Sequence, residues 1–332
     1  MPAGQFTFQP AVPVARALSL GAALPELLTP ACPVALYAAA LQGDSLCLGH
    51  YQHEAQALGV TERPWLRRAS GGVTVRLGDG IVYLALALAD RSSLMKCPPG
   101  RLLNRNVRGV LTGLRQHGVA INYFGRDFLS VGAEPAIYVG WDIRSDDRVL
   151  LEFFVARESA WFVPASELAY PDRQEPALRG RTPTQITQLT AAELAQAIAD
   201  GHARSFAVTW VDDAQLSTST AAPEQREALA SHALAWSRPR EEPIGFVSAG
   251  VRLDAHKLFA EVRIAGDFFA HRACTATLQT QLLGREPNER EVGEAVDAVF
   301  ARSGYDVEGI RNLSVIRDAI LEAAERSAIE RG

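Results

Sequence analysis

Lysine is almost missing from this chain. Lys96 and Lys257 are the only two in 332 residues, and arginine carries nearly all the positive charge. So few ammonium groups leave almost no candidates for lysine-centred catalysis. Positive charge is not in excess either: 33 basic against 38 acidic residues give a formal charge of −5. That balance excludes a basic nucleic-acid footprint, which needs clustered Lys and Arg. Cysteine is equally sparse. Cys32, Cys47, Cys97 and Cys274 include no C-x-x-C pair, and they are too dispersed for a zinc site or a disulfide scaffold. The longest apolar runs, such as Ile81–Ala89, fall far short of a membrane span. No basic segment followed by an apolar one opens the chain, so no signal peptide is expected. The expectation is a cytoplasmic protein with neither membrane nor nucleic acid as a partner.

What is present is an ordinary globular composition, 48% apolar and 21% charged. The length suits one large and one smaller domain. The first forty residues, rich in Pro, Ala and Leu, predict a short helix with irregular flanks. Val34–Ala40 and Ser45–Gly49 read as strands around the turn residues Gly43 and Asp44. Val73, Val75 and Leu77 alternate with Thr74 and Arg76, the period of a strand. Leu102–Gln116 has helical core spacing in Val107, Val110, Leu111 and Leu114. Ala136–Ile143 and Val149–Ala156 read as strands joined by the polar turn Arg144–Arg148. A helix is expected over Ala191–Ala199. A composition shift across Gln215–Gln225 and Ser237–Pro243 marks a boundary near residue 240. Beyond it, Gly245–Leu253 and Leu258–Phe269 predict strands, and Glu289–Arg302 and the Leu313, Ile316, Ile320 repeat predict helices. The fold expected is α+β: a mixed β-sheet flanked by helices over 1–240, then a small α+β unit over 241–332.

Chemistry is most concentrated at Arg67-Arg68-Ala69-Ser70-Gly71-Gly72. Two glycines let a backbone approach an anion closely, and arginine can clamp phosphate or carboxylate through paired hydrogen bonds. Taken alone, the segment is also a common surface turn with two solvated arginines. His50 and His53 invite a metal reading. On a strand they would face opposite ways, and a third ligand is lacking, so no metal is expected. Cys97, before Pro98-Pro99-Gly100, is read as a bystander thiol. Glu134 and Asp142 have no spacing that makes them a catalytic pair.

The turn does not stand alone. Arg67–Gly72 matches the first six positions of the Arg-Arg-x-Ser-Gly-Gly-Gly-x-Val-x-His-Asp-x-Gly-Asn block of the lipoate–protein ligase A family. Leu48-Gly49-His50-Tyr51-Gln52-His53 resembles that family's Ile-Gly-Arg-x-Gln-Asn strand end. Arg179–Leu189 sits where the family has a stretch like Lys-Gly-(x)-x-Ser-Val-x-Ser-Arg-Val-x-Asn-Leu. Ala265-Gly266-Asp267-Phe268-Phe269 resembles the Gly-Asp-Phe-Phe strand of its C-terminal accessory domain. The order of these pieces matches over most of the chain. The resemblance implies the biotin/lipoate ligase fold, an acyl ligand of the lipoate or octanoate class, ATP with Mg, and a lipoyl domain or acyl-carrier protein as partner. It places the acyl adenylate against Arg67, Arg68, Ser70, Gly71, Gly72, Val73 and Arg76.

The departures are as specific. The block's third glycine is Val73, and its His-Asp pair falls at Leu77 and Gly78. The family's lysine, which holds the carboxyl group and α-phosphate, belongs in a Lys-Ile/Val-x-Gly turn. Here that stretch is Val131–Gly140 and contains no lysine. Catalytic residues are therefore unassigned. Three functions stay open: an acyl-adenylate enzyme with Arg67, Arg68, Arg76 or Arg126 in place of the lysine, a non-catalytic acyl-, nucleotide- or lipoyl-domain-binding relative, or changed chemistry on the same scaffold.

Overall fold

Three runs of the sequence are apolar at every position or nearly so: Val34–Gln42, Ile81–Leu88 and Val149–Ala156. Strands without alternation must be covered on both faces, so these are expected at the centre of a sheet. In the computed structural model, which describes residues 2–59, 62–96, 99–163, 165–169, 181, 183–212, 234–305 and 307–329, they are.

In chain order, β1 (Ala3–Pro13) leads into helix α1 (Val14–Ala23), then β2 (Val34–Gln42), β3 (Asp44–Leu48) and a single-turn helix α2 (Glu54–Ala57). Next come β4 (Trp65–Arg67), β5 (Val75–Gly78), β6 (Ile81–Leu88), helix α3 (Leu102–Gln116), β7 (Ile121–Tyr123), β8 (Phe128–Val131), β9 (Glu134–Ile143) and β10 (Val149–Ala156). Helix α4 (Ala191–Phe206) and β11 (Thr209–Asp212) follow. The main sheet runs β11-β1-β2-β6-β10-β9-β8-β7. β1 is parallel to β11 and β2, and the remaining pairs are antiparallel. A small second sheet, β4-β3-β5, carries the glycine turn between its outer strands.

Register decides what lies under that turn. Tyr37 pairs with Ala85, Glu152 with Ala85 and Gly140, and Phe154 with Tyr83 and Tyr138. All therefore share one face of the main sheet. Helices α3 and α4 pack together closely enough that a Cβ on Gly113 would lie 1.9 Å from the Ala197 carbonyl oxygen. Thr190 and Glu193 close a capping box at the start of α4, which explains the sharp onset of that helix.

The C-terminal unit is an antiparallel sheet of β14 (Phe246–Leu253) and β15 (Phe259–Gly266), with β12 (Ala235–Trp236) and β13 (Arg240–Glu241) along β14. A short pair, β16 (Phe269–Ala270) and β17 (Val307–Glu308), and helices Arg272–Leu282, Glu289–Phe300 and Ser314–Ile329 complete it. It has its own apolar core, to which Tyr51 from the N-terminal part contributes. The observed architecture is the expected mixed sheet flanked by helices with a small α+β unit behind it. Among the described residues no helix is long and apolar enough to cross a membrane.

Two local expectations change. Residues 3–13 form a full strand before the short helix, because Gly4, Phe6 and Phe8 alternate with Gln5, Thr7 and Gln9. His50 and His53 lie in the turn between β3 and α2, not on a strand. Gln215–Gln225, Cys97, Arg179 and Gly180 lie outside the described residues.

Candidate functional site

Three of the stretches singled out in the sequence meet in space. Leu48 pairs with Arg67, so the end of β3 runs beside the start of the glycine turn. The Gln52 side chain accepts from the Gly49 N–H (2.7 Å) and the Thr74 hydroxyl (3.0 Å), and donates to Asp267 Oδ1. Asp267 Oδ2 in turn accepts from the Phe246 N–H at 2.9 Å. Gln52 thus links the strand end, the turn and the Gly266–Phe269 segment between β15 and β16.

The turn itself is filled by protein. The Ser70 N–H donates to Glu152 Oε2 at 2.8 Å, the Gly71 N–H to the Trp141 carbonyl at 3.2 Å, and the Gly72 N–H to the Phe268 carbonyl at 3.2 Å. The Val73 N–H donates to the Tyr138 hydroxyl at 3.0 Å. Four consecutive donors that could have faced an anion are used inside the molecule. Gly72 has φ +91°, and a Cβ there would meet the Tyr138 hydroxyl at 1.9 Å. Glycine here serves close packing against the sheet.

Arg68 is fully buried. Its guanidinium donates to Ser70 Oγ (3.1 Å) and to the carbonyls of Cys47 (2.9 Å), Gly71 (2.7 Å) and Val73 (2.7 Å), and stands 5.4 Å from the Tyr138 ring centre. It holds the turn's shape from within. Arg67 donates to the carbonyls of Gly49, His50 and Gln52 and pairs with Glu54 at 3.1 Å. Arg76 leaves the group and forms an exposed ion pair with Asp44 at 2.9 Å. Of the seven candidates, Arg67, Arg68, Ser70, Gly71, Gly72 and Val73 come together, and Arg76 stands apart.

The Val131–Gly140 stretch begins in a hairpin formed by β8 and β9 around Gly132, with Val131 opposite Glu134. Glu134 is exposed. Arg181 donates to the Ala133 carbonyl of this turn at 2.8 Å. Lys96 and Lys257 are exposed elsewhere. Asp142 is buried and paired with Arg272 at 2.6 Å, which accounts for it as structure. Burial pushes the Cys47 thiol up to about 12, so it is no nucleophile at neutral pH. His53 is buried against Trp236, ring centres 4.2 Å apart, and burial lowers its pKa. Among the described residues no three His, Cys, Asp or Glu side chains gather as a metal site. Neither the closed turn nor these carboxylates fit an adenylate with Mg.

A cleft of about 380 Å³ lies on the far side of Phe269, between the start of α3, β7 and β17. Its polar lining is Arg101, Asn104, Tyr123, Arg126, Asp127 and Glu308. Only Arg126 of these was picked out by sequence reasoning. Nothing in Gly125-Arg126-Asp127 marks Asp127 as buried, since the burial follows from its position at the head of β8.

With the eight-stranded mixed sheet, the glycine turn and the C-terminal α+β unit in place, solved structures can be compared. LipL1 of P. falciparum in complex with lipoate superposes with a TM-score of 0.69, covering 96% of this chain and 99% of that one at 13% identity. The fold is that of the lipoate–protein ligases. A bipartite lipoate protein ligase of Thermoplasma acidophilum, described with its E2 lipoyl domain as an archaeal lipoylation system, matches with a TM-score of 0.53 at 14% identity, over 64% of this chain and 87% of that one. A lipoate–protein ligase A bound with ATP gives 0.50 at 12% identity, over 64% and 88%. At these identities the likeness is one of fold. LipL1 matches across both the main sheet and the C-terminal unit of this lipoate-ligase fold. No protein-family model matches the sequence, and no curated protein matches it.

Proposed function

We infer that this chain is a non-ligating binding protein on the lipoate-ligase fold, with the part ahead of β12 as the ligand-binding part and the unit from β12 onward, a little before the boundary expected near 240, as the accessory part. Its ligand class is an acyl group of the lipoate or octanoate type, free or carried on a lipoyl or acyl-carrier domain. One observation carries the reading: the N–H groups of Ser70, Gly71, Gly72 and Val73 are all taken by protein acceptors. A turn so occupied has no donors left for a phosphate, and the Val131–Gly140 stretch carries Glu134 and no lysine. Loss of a single preorganised contact of that kind costs about two to three orders of magnitude in rate.

A second reading has one observation in its favour. Arg181 lies against the lysine-less hairpin, so a guanidinium is at hand there. The test for both is purified protein with ATP, magnesium, lipoate or octanoate, and an apo-lipoyl domain, followed by intact-mass spectrometry. The binding reading expects no mass gain on the domain, with saturable binding of lipoate, octanoate or the domain measured alongside. A mass gain abolished by Arg181→Ala would replace it with the arginine-assisted enzyme.

A further inference from the structure

Helix α3 holds no acidic residue, yet it carries Arg105, Arg108 and Arg115, and Arg101 stands at its N-cap. At 3.6 residues per turn these four fall within about a quarter of the helix circumference, along a stripe of about 21 Å. Arg101, Arg108 and Arg115 are exposed. Arg115 is committed to β7, donating to the Ile121 carbonyl at 2.9 Å and to Asn122 Oδ1 at 3.3 Å. Among the described residues no carboxylate pairs with Arg101, Arg105 or Arg108, and the Arg105 Nε is buried without a hydrogen-bond partner. Elsewhere arginines sit on carboxylates: Arg67 on Glu54, Arg91 on Asp147, and Arg285 on Glu291. In a chain of formal charge −5, a helix face of uncompensated guanidinium groups is the complement of an acidic surface from outside. The net negative charge repels nucleic acid at long range, which leaves an acidic protein domain as the better complement. An aromatic side chain stands beside the stripe. Phe124 is 65% exposed, and its neighbours Tyr123 and Gly125 line the cleft together with Arg101 and Asn104. Aromatic residues and arginine are the side chains that most often anchor protein interfaces.

We propose that the arginine face of α3, with Phe124 at its end, docks an acidic carrier domain whose acyl arm enters the adjoining cleft. The proposal rests on the carrier form of the acyl reading. Arg101 belongs to both the face and the cleft, so a domain seated on α3 has the cleft mouth within reach of a pendant arm. Inside, Leu103, Ile244 and Phe269 offer that arm an apolar wall. Charge on the face steers the domain and fixes its register, and the apolar contacts at Phe124 hold it.

The experiment titrates the full chain by calorimetry with an octanoylated lipoyl domain of net negative charge, and separately with free octanoate. Saturable binding of the domain is expected, weakening as salt is raised. Arg108→Glu, at an exposed position outside the cleft lining, weakens the domain at least about tenfold and leaves free octanoate unchanged. Phe124→Ser weakens the domain by a similar factor. Arg290→Glu, the same charge reversal at an exposed position of the C-terminal unit, changes its affinity by no more than about twofold at physiological salt. The proposal is overturned if Arg108→Glu or Phe124→Ser keeps full affinity, or if Arg290→Glu weakens the domain as much as Arg108→Glu does. Duplex DNA that displaces the domain at equal concentration would assign the face to nucleic acid and overturn it too. Octanoate binding without domain binding sinks this surface and spares the acyl ligand, whereas binding of neither sinks the acyl reading with it.

Discussion

Glu152 Oε2 accepts the Ser70 N–H at 2.8 Å while its Oε1 accepts the Tyr83 hydroxyl at 2.7 Å, and the carboxylate has no exposed surface. It joins the central sheet to the glycine turn. Glu152→Ala strands both donors and should lower stability by about 3–5 kcal/mol. Glu152→Gln keeps one acceptor oxygen and should cost about 1–3 kcal/mol. Urea unfolding at constant m-value checks both, and equal losses would show that the carboxylate's charge, not its bonding, matters.

The hairpin predicts the outcome of a repair. Glu134→Lys returns an ammonium to the family's lysine stretch, at an exposed position where stability should shift by no more than about 0.5 kcal/mol. Because the turn's donors stay occupied, lipoate, ATP and an apo-lipoyl domain should still give no mass gain. Ligation by this variant would mean that the turn opens in solution.

The α3–α4 contact leaves no room for a methyl group. Gly113→Ala should gain up to ~1 kcal/mol in helix propensity yet lose more to overpacking, for a net cost of about 1–3 kcal/mol. Gly293 is the control: its nearest neighbour would be Arg317 Cδ at 3.8 Å, so Gly293→Ala should stabilise by about 0.5–1 kcal/mol. Opposite shifts in melting temperature are the expected reading.

His202 sits fully buried on α4, its Nδ1 donating to the Ile198 carbonyl at 2.9 Å. Burial lowers its pKa from the usual 6.5 to about 4. The unfolded chain therefore binds a proton that the folded chain refuses between those values. The stability this contributes is complete above pH 6.5 and lost as pH falls towards 4, up to about 3 kcal/mol. His202→Leu should flatten that part of the pH profile. A parallel slope in both proteins would exclude His202 as its source.

Much of the frame was legible because periodicity reports burial. Leu102–Gln116 forms over the predicted span because its apolar positions share one face, and Val149–Ala156 because an unbroken apolar run must be covered on both. The strand Ala3–Pro13 was hidden by its prolines and by an alternation that carries only two aromatics. The glycine turn could be located in sequence, but its occupancy could not. Whether a Gly72 N–H faces phosphate or the Phe268 carbonyl depends on a contact from the far end of the chain. The burial of Asp127 was invisible for the same reason: it is a property of what surrounds the residue.

That long reach sets an order of events. Tyr51 donates its hydroxyl to the Ala270 carbonyl, 219 residues later, and the neighbouring Gly72 N–H waits for Phe268. During synthesis, which delivers about 5–20 residues per second, the main sheet can form while the turn still lacks its last acceptor. For that interval the nascent protein carries one open backbone donor, the Gly72 N–H, that the finished one lacks. A chain cut short before β15 would keep it.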